Sequence, residues 1–311
     1  MVEGQEGVTW DEWLGLAGTC EEAGLAGLFR SDHYSSTIAT ANRGSLDAWA
    51  TLAALAAVTE RIRLGTMVSP VTFRHPANLA RMVATVDHVS GGRVELGMGA
   101  GWMELEHSSN GFPFDGAGWR VSVLREQIEI VVRQWTEEEF SFAGEHYGLE
   151  SSRALPKPVQ RPHPPLIVGG GGKRGTVEPA VRWADEYDTI FATPDEIHAL
   201  RAKLDEACER ADRDRPLRLT LMTTTVVADD ESELRDRVRS FLARVGREDD
   251  PGEWLAERRG GARLVGTVEE VLDLLGRYAD AGLDGAYLQH LDHNDLDMVR
   301  LIGSRIVPAV A

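Results

Sequence analysis

The segment 61–102 constrains the fold more than any other part of this chain. It begins with R-I-R-L-G-T-M-V-S-P-V-T-F-R-H-P and ends with S-G-G-R-V-E-L-G-M-G-A-G-W. The apolar residues between these two runs recur at the i, i+3, i+4, i+7 spacing of a helix, namely Leu79, Met82, Val83 and Val86. Two β-rich runs around a helix are typical of a parallel βαβ unit, whose chemistry takes place where the strands end.

The same alternation of strand and helix continues along the whole chain. Thr9 and Glu12 form a capping-box pattern that opens a first helix, with Gly24 as its stop, and Ser45 is expected to cap a second helix. An α/β barrel commonly uses about this length as one domain, so we expect one domain over 1–311. Seven strands are predicted, near 26–31, 62–69, 93–100, 165–170, 189–192, 217–227 and 285–291.

Three stretches interrupt the alternation and are interpreted as insertions, at about 102–119, 136–164 and 246–263. The first lacks periodicity, and the second contains a predicted hairpin and a proline-rich extended connector. Within the strand 93–100, Gly97 and Gly99 lie on one face, which indicates that another group approaches the backbone closely there.

The acidic composition limits the possible ligands. The formal net charge is -17, which argues against nucleic-acid binding because a phosphate backbone would be repelled. An anionic ligand therefore needs a local basic pocket. Cys20 and Cys208, the two cysteines, fit the apolar faces of helices and are interpreted as core residues in a reducing compartment. No apolar run is long enough for a bilayer and no leader pattern opens the chain, so a cytoplasmic location without membrane contact is expected.

Asp32 and His33 directly follow a predicted strand and are candidate catalytic residues. A histidine at that position can hold or relay a proton near neutral pH, and a neighbouring aspartate can orient it or raise its pKa. The alternative interpretation is a loop pair that caps a backbone turn.

The run Gly169-Gly170-Gly171-Gly172-Lys173-Arg174 lies between a predicted strand and a predicted helix. Glycine amides, a helix start and two cations favour binding of a phosphate group. The run is not a nucleotide-binding P-loop, because Ile167 stands where the first glycine belongs and Arg174 replaces the metal-binding hydroxyl. A plain strand-to-helix turn would need only one or two glycines.

Two clusters of acidic residues and histidines are candidate metal sites. They are Glu104, Glu106 and His107, and His290, Asp292 and His293. Neither has an established ligand spacing, so hydrogen-bonded loop roles and no bound metal are expected. His290, at the end of the last strand, could still face a substrate. Arg74, His75 and Pro76 are expected to anchor the start of a helix.

Three stretches of the chain resemble the luciferase-like flavin and deazaflavin oxidoreductases. They are the segment 61–102, G-L-F-R-S-D-H-Y at 27–34 and P-L-I-V-G-G-G-G-K-R-G at 165–175. The resemblance covers nearly the whole chain. Within the family, the chain most resembles the branch that uses coenzyme F420. It implies a TIM-type (β/α)8 barrel and a homodimeric oxidoreductase that transfers a hydride between F420 and a small organic substrate. An FMN-dependent monooxygenase, or a non-catalytic protein that binds a deazaflavin or flavin, remains an alternative because the fold alone does not separate them.

The resemblance also assigns residues to the cofactor. It places His33 at the reacting ring with Asp32 orienting it, and Met67 and Val68 at a non-prolyl cis peptide that backs the ring. Some sugar-phosphate-oxidising relatives carry a catalytic glutamate at the position of Trp102. Because this chain lacks that glutamate, we do not expect it to oxidise sugar phosphates. The strand end that borders the ring and its side chain comprises Gly99, Ala100, Gly101 and Trp102.

The resemblance further implies a complete first strand, which this chain lacks. A closed barrel of this type needs eight strands, and residues 1–5 can supply only the end of the missing one. Either the start codon is assigned too late, or the barrel is open at its amino-terminal base.

Overall fold

A computed structural model of the protein describes residues 1–38 and 43–310. Nine strands form one parallel sheet, and two more form a separate antiparallel hairpin. The strands are β1 (Gly27–Arg30), β2 (Arg63–Thr66), β3 (Ser69–Pro70), β4 (Val94–Gly99), β5 (Phe140–Ala143), β6 (Gly148–Ser152), β7 (Leu166–Gly169), β8 (Glu186–Ile190), β9 (Arg218–Ala228), β10 (Leu264–Thr267) and β11 (Gly285–Gln289).

Helices connect the parallel strands and cover the outside of the sheet. Capping boxes at Thr9, Thr193 and Thr267 begin three of them, so the predicted role of Thr9 and Glu12 is confirmed. None of the helices in the described ranges is long and apolar enough to cross a membrane. The α-helices are α1 (Trp10–Glu22), α2 (Ala48–Val58), α3 (Pro76–Ser90), α4 (Glu104–Asn110), α5 (Ala117–Thr136), α6 (Arg174–Trp183), α7 (Pro194–Arg210), α8 (Glu231–Arg244), α9 (Pro251–Arg258), α10 (Val268–Asp280), α11 (Leu296–Leu301) and α12 (Val307–Val310).

The first two residues join the two ends of the sheet. The sheet order is β1-β2-β4-β7-β8-β9, with β11 paired to the amino half of β9 and β10 to its carboxyl half. The Val2 amide donates to the Phe29 carbonyl at 2.9 Å, and the His290 amide donates to the Met1 carbonyl at 2.9 Å. Met1 and Val2 therefore connect the carboxyl ends of β1 and β11 through main-chain hydrogen bonds. These two residues stand where the sequence predicts the end of a first strand.

Several boundaries differ from the sequence prediction. Asp47, not Ser45, caps α2, while the Ser45 hydroxyl donates to the His33 carbonyl at 2.7 Å. The segment 102–119 is not without structure, because it contains α4. The strand predicted at 189–192 is β8, which begins three residues earlier because Glu186 and Asp188 are buried and their polar character hides the strand pattern.

The strand glycines accommodate one bulky side chain, that of Val68. A Cβ atom at Gly99 would lie 2.6 Å from Val68 Cγ2, and one at Gly169 would lie 3.1 Å from Val68 Cγ1. The Met67–Val68 peptide is cis, as the family resemblance implied. The predicted close approach to the backbone at β4 is therefore confirmed, and the approaching group belongs to the protein itself.

Replacing Gly97 is expected to destabilise the fold. A Cβ atom there would lie 2.1 Å from the Thr66 carbonyl oxygen, so the backbone of β2 or β4 would have to shift. Gly97→Ala should lower the free energy of unfolding by about 1–3 kcal/mol in urea denaturation. The matched control is Gly276→Ala in α10, where a Cβ meets nothing within 4 Å. A Gly97→Ala protein as stable as the control would contradict this account of the glycine.

Candidate active site

A pocket of about 940 Å³ opens at the carboxyl ends of the parallel strands. Parallel strands that alternate with helices place their ligand sites at this end. Most of the residues predicted from the sequence line it: His33, Met67, Val68, Gly99, Ala100, Gly101, Trp102, Gly169, Gly170, Gly171 and Lys173. Asp32, Gly172 and Arg174 were predicted with them but do not line the pocket.

His33 is held by a carboxylate from a different part of the chain. Its Nδ1 lies 2.7 Å from Glu106 Oε2, and the Glu106 side chain is 0% exposed. The other oxygen of Glu106 accepts from the backbone amides of Tyr34 and Ser35, the latter at 3.0 Å. Burial opposes the charged imidazole, but the hydrogen bond and negative charge of Glu106 outweigh it and raise the pKa of His33.

Asp32 does not orient His33, which corrects the sequence prediction. Its carboxylate accepts two hydrogen bonds from Arg74, at 2.5 and 3.2 Å, and one from the Ser69 hydroxyl at 2.6 Å. Arg74 also reaches Asp47 at 2.9 Å. The buried Asp32 thus connects the loop after β1 to Ser69 and Arg74, and Arg74 in turn connects it to the start of α2. Successive residues on an extended chain point in opposite directions, so Asp32 and His33 face different neighbours.

The glycine run has fewer free amides than its sequence suggests. The Gly170 amide donates to the Asp188 carbonyl at 2.9 Å, and the Gly172 amide donates to the Tyr187 hydroxyl at 2.8 Å. Lys173 precedes α6 as its N-cap residue, without a capping hydrogen bond from its own side chain. An anion could therefore contact this segment at the Gly171 backbone and at the amino terminus of α6.

Arg174 does not belong to the pocket, contrary to the prediction. Its side chain is 88% exposed and pairs with Glu178 one helical turn later, at 2.6 Å. The first residue of a helix and its N-cap residue project in different directions, and only Lys173 faces the pocket.

The pocket rim contains residues that the sequence analysis missed. Arg247, Arg258, Arg263 and Trp254 come from the segment 246–263, which was interpreted as a polar insertion. Arg247 pairs with Asp249 and Arg258 with Glu257, whereas no ion pair is found for Arg263 in the part of the chain that the structure describes. Burial and the nearby Arg258 lower the pKa of Arg263. The one sequence signal for these residues was the high local density of arginine in 246–263. No predicted strand ends directly before this segment, so the sequence did not indicate that it lies at the pocket.

Trp102 covers the approach to His33. Its ring lies 5.8 Å from the imidazole, centroid to centroid, and the residue is 63% exposed. It therefore lies at the pocket mouth.

The two histidine clusters fit the expected hydrogen-bonded loop roles only in part, because Glu104, Glu106 and His107 lie in helix α4 and Glu106 pairs with His33. His107 Nε2 lies 2.6 Å from Thr72 Oγ1, and His293 contacts Arg244 and Glu12. His290 is buried with neither ring nitrogen bonded to a described group, and burial lowers its pKa to about 3. It does not line the pocket, so a role for it in contacting substrate is not supported by its position.

Comparison with known proteins identifies a family. The sequence pattern described as luciferase-like monooxygenase matches residues 2–285. The uncharacterized protein Rv0953c of Mycobacterium tuberculosis is 42% identical over 145 residues, which is 47% of this chain and 50% of that protein. This match therefore spans about half the length of that relative.

Relatives with a named cofactor fall into two groups. An F420-dependent glucose-6-phosphate dehydrogenase of Microbacterium testaceum is 29% identical, over 96% of this chain and 93% of its own. An FMNH(2)-dependent dimethylsulfone monooxygenase of Pseudomonas putida is 28% identical, over 62% of this chain and 52% of its own. Relatives thus use F420 or FMN.

Solved structures show the same fold. The monooxygenase RslO1 from Streptomyces bottropensis has a TM-score of 0.83 at 24% identity, covering 97% of this chain and 94% of its own. The coenzyme F420 dependent tetrahydromethanopterin reductase from Methanopyrus kandleri has a TM-score of 0.80 at 18% identity, covering 99% and 97%. The TIM-type α/β fold predicted from the sequence is confirmed.

Removing the charge of Glu106 is expected to lower the pKa of His33. Because that pKa is raised in the folded protein, the stabilisation is present below the unfolded value of about 6.5 and disappears as pH rises through the folded value. Glu106→Gln should therefore cost more thermal stability at about pH 6 than at about pH 9. The His33 titration, followed by NMR of its ring protons, should shift to lower pH.

The matched control is Glu104→Gln, two residues away and exposed. An unshifted His33 titration in Glu106→Gln would show that the ion pair does not set the protonation of this ring.

Proposed function

This chain belongs to the luciferase-like monooxygenase family, and from that membership we propose an oxidoreductase that transfers a hydride between coenzyme F420 and a small organic substrate. The observation that carries the proposal is that His33, which is paired with Glu106, lines one pocket together with Val68 and Lys173. A relative that is F420-dependent and aligns over nearly the full chain favours F420 over FMN.

Two features of the pocket support a deazaflavin as its ligand, namely an apolar surface and an open stretch of backbone. Val68, seated on Gly97, Gly99 and Gly169, offers an apolar surface against which a flat ring can pack. A Cβ atom at Gly171 would meet nothing within 4 Å, so the backbone there is open to a ligand. When bound, the deazaflavin supplies the hydride-carrying ring carbon, and the protein supplies position, charge and exclusion of water.

Cations are concentrated at the pocket although the chain as a whole is acidic. Lys173 lies at the start of α6, and Arg247, Arg258 and Arg263 lie along the rim. Two of these arginines are paired with neighbouring carboxylates, so Lys173 and Arg263 are the cations that an anionic cofactor would contact in this proposal. In this proposal Lys173 and the α6 amino terminus hold the cofactor phosphate.

His33 is assigned to the proton that accompanies hydride transfer, with Glu106 positioning it. The hydrogen bond and charge of Glu106 raise the pKa of the imidazole and so favour its protonated form, from which His33 can donate a proton to an oxygen that gains negative charge. His33→Ala should lower turnover more than cofactor affinity, because a proton role is expressed mainly in the transition state. An equal loss of affinity, with normal turnover at saturation, would leave His33 with a binding role only.

The substrate class is restricted by Trp102. A tryptophan stands where sugar-phosphate-oxidising members of the family carry a catalytic glutamate, so we do not assign this chain the activity of the glucose-6-phosphate dehydrogenase relative. The rings of Trp102, Phe191 and Trp254 line the pocket and suit a small substrate with an apolar part.

Separate titrations with F420 and with FMN test the proposal. We expect the absorbance spectrum of F420 to change on binding, with an affinity at least about tenfold above that for FMN. The loaded protein should then oxidise or reduce members of a panel of small alcohols and carbonyl compounds, followed by F420 absorbance. Tighter binding of FMN with oxygen consumption would favour the monooxygenase alternative. Tight F420 binding without turnover of any panel member would favour a non-catalytic binding protein.

Lys173 and Arg174 are expected to differ in their effect on cofactor affinity. Lys173→Ala should weaken F420 binding by about tenfold or more, because a charge-assisted contact is worth about 1.5–3 kcal/mol. Arg174→Ala is the matched control and should change affinity by less than about twofold, because that side chain is exposed and already paired with Glu178. Equal effects of the two substitutions would remove the proposed phosphate site.

A further inference from the structure

Two buried carboxyl groups lie one above the other inside the barrel, beneath the pocket. Glu186, Asp188 and Ile190 alternate along β8 and share the face that looks into the barrel, since Asp188 and Ile190 both line the pocket. Asp188 is 2% exposed and belongs to the pocket lining. Glu186 lies two residues nearer the amino end of the same strand.

One hydroxyl group connects the two carboxyl groups. Thr220 Oγ1, on the neighbouring strand β9, lies 2.8 Å from Glu186 Oε1 and 3.0 Å from Asp188 Oδ1. A hydroxyl has one hydrogen and can donate to only one of these oxygens. The other carboxyl group must then carry a proton and donate it to the hydroxyl for both hydrogen bonds to exist.

The remaining contacts decide which carboxyl group carries the proton. Glu186 also accepts from the Tyr287 hydroxyl at 2.7 Å, and its second oxygen lies 3.1 Å from Arg218. Burial raises the pKa of Glu186, but these two partners oppose that rise and stabilise its ionised form. No ion pair is found for Asp188 in the ranges 1–38 and 43–310, and its neighbour Glu186 has the same sign of charge.

The charged groups around this pair come from three further strands. Glu95 on β4 faces it and is paired with Arg63 on β2, and Tyr287 faces it from β11. Burial and the charge of Glu186 raise the pKa of Asp188 well above its usual range. Arg218, beside Glu186, is 57% exposed, so this end of the chain of hydrogen bonds reaches solvent at the amino-terminal base of the barrel.

We propose that Asp188 and Glu186 share one proton through Thr220, and that Asp188 presents this proton to the pocket as an internal acid. The use of the proton rests on the function proposed above. When a hydride forms a new C–H bond on an acceptor, the displaced electron pair leaves negative charge on an oxygen or nitrogen, which takes the proton from Asp188. Glu186 then takes a proton from water at the base, and Thr220 receives it while giving its own hydrogen to the Asp188 carboxylate. One hydride transfer needs only one proton, so Asp188 and His33 are alternative donors of it, and comparing the fall in kcat of Asp188→Asn with that of His33→Ala shows which residue supplies it.

Infrared spectroscopy of the cofactor-free protein tests the shared proton. A protonated carboxyl group has a carbonyl stretch distinct from that of a carboxylate, and we expect such a band at about pH 7, where exposed carboxyl groups are ionised. Asp188→Asn should remove the band, whereas Asp273→Asn, at an exposed position of α10, should leave it. Glu186→Gln should move the titration of the band to lower pH, because the like charge that raises the pKa of Asp188 is gone. Absence of the band from the native protein would overturn the proposal.

Turnover measurements test the use of the proton. With saturating F420, Asp188→Asn should lower kcat by at least about tenfold, while cofactor affinity stays within about threefold. Thr220→Val should retain the infrared band, because Asp188 stays protonated beside Glu186, but should slow turnover in the same direction. An unchanged kcat in Asp188→Asn would overturn the role as an acid. If the native protein failed to bind F420, the infrared result would still stand, so failure of the proposed function is distinguishable from failure of the shared proton.

Discussion

Parallel hydrogen bonding of the strands is the constraint on which the rest of this structure depends. It brings the carboxyl ends of β1, β4, β7 and β8 to one rim, so residues far apart in sequence line one pocket. The bonds of Met1 and Val2 extend the same pattern across the gap between β1 and β11. Within each strand alternate residues face the interior, so Gly97 and Gly99 leave room there for Val68, and Glu186 and Asp188 share the inner face of β8.

The loop after β1 is fixed by buried arginines rather than by its own sequence. Arg30 is completely buried and donates to the Leu46 carbonyl and the Thr51 hydroxyl, both at 2.9 Å. Arg74 holds Asp32 and Asp47 together. These contacts attach the loop to α2 and to the residues after β3, and Glu106 attaches it to α4. His33 is therefore positioned from several sides, which is what a proton-transfer group requires.

The two proton-bearing groups of the pocket owe their shifted pKa values to opposite causes. The pKa of His33 is raised because burial is outweighed by an anionic partner, Glu106. The pKa of Asp188 is raised because burial and a like-charged neighbour, Glu186, both disfavour ionisation. The pocket can hold two proton donors because His33 and Asp188 lie in different electrostatic environments. The arginines of the rim supply positive potential for an anionic ligand.

The sequence by itself determined the alternation of strands and helices, the capping box at Thr9, the close approach at Gly97 and Gly99, and a part of the pocket lining that includes His33 and Lys173. These features depend on local periodicity, on backbone freedom and on the rule that strand ends meet. Only the tertiary structure decided that Glu106 rather than Asp32 contacts His33, that Arg174 faces solvent, and that Glu186 and Asp188 form a strand and meet at Thr220. Those outcomes depend on which loops and strands become neighbours in space, and the partner of a polar side chain is set by that packing rather than by its position in the sequence.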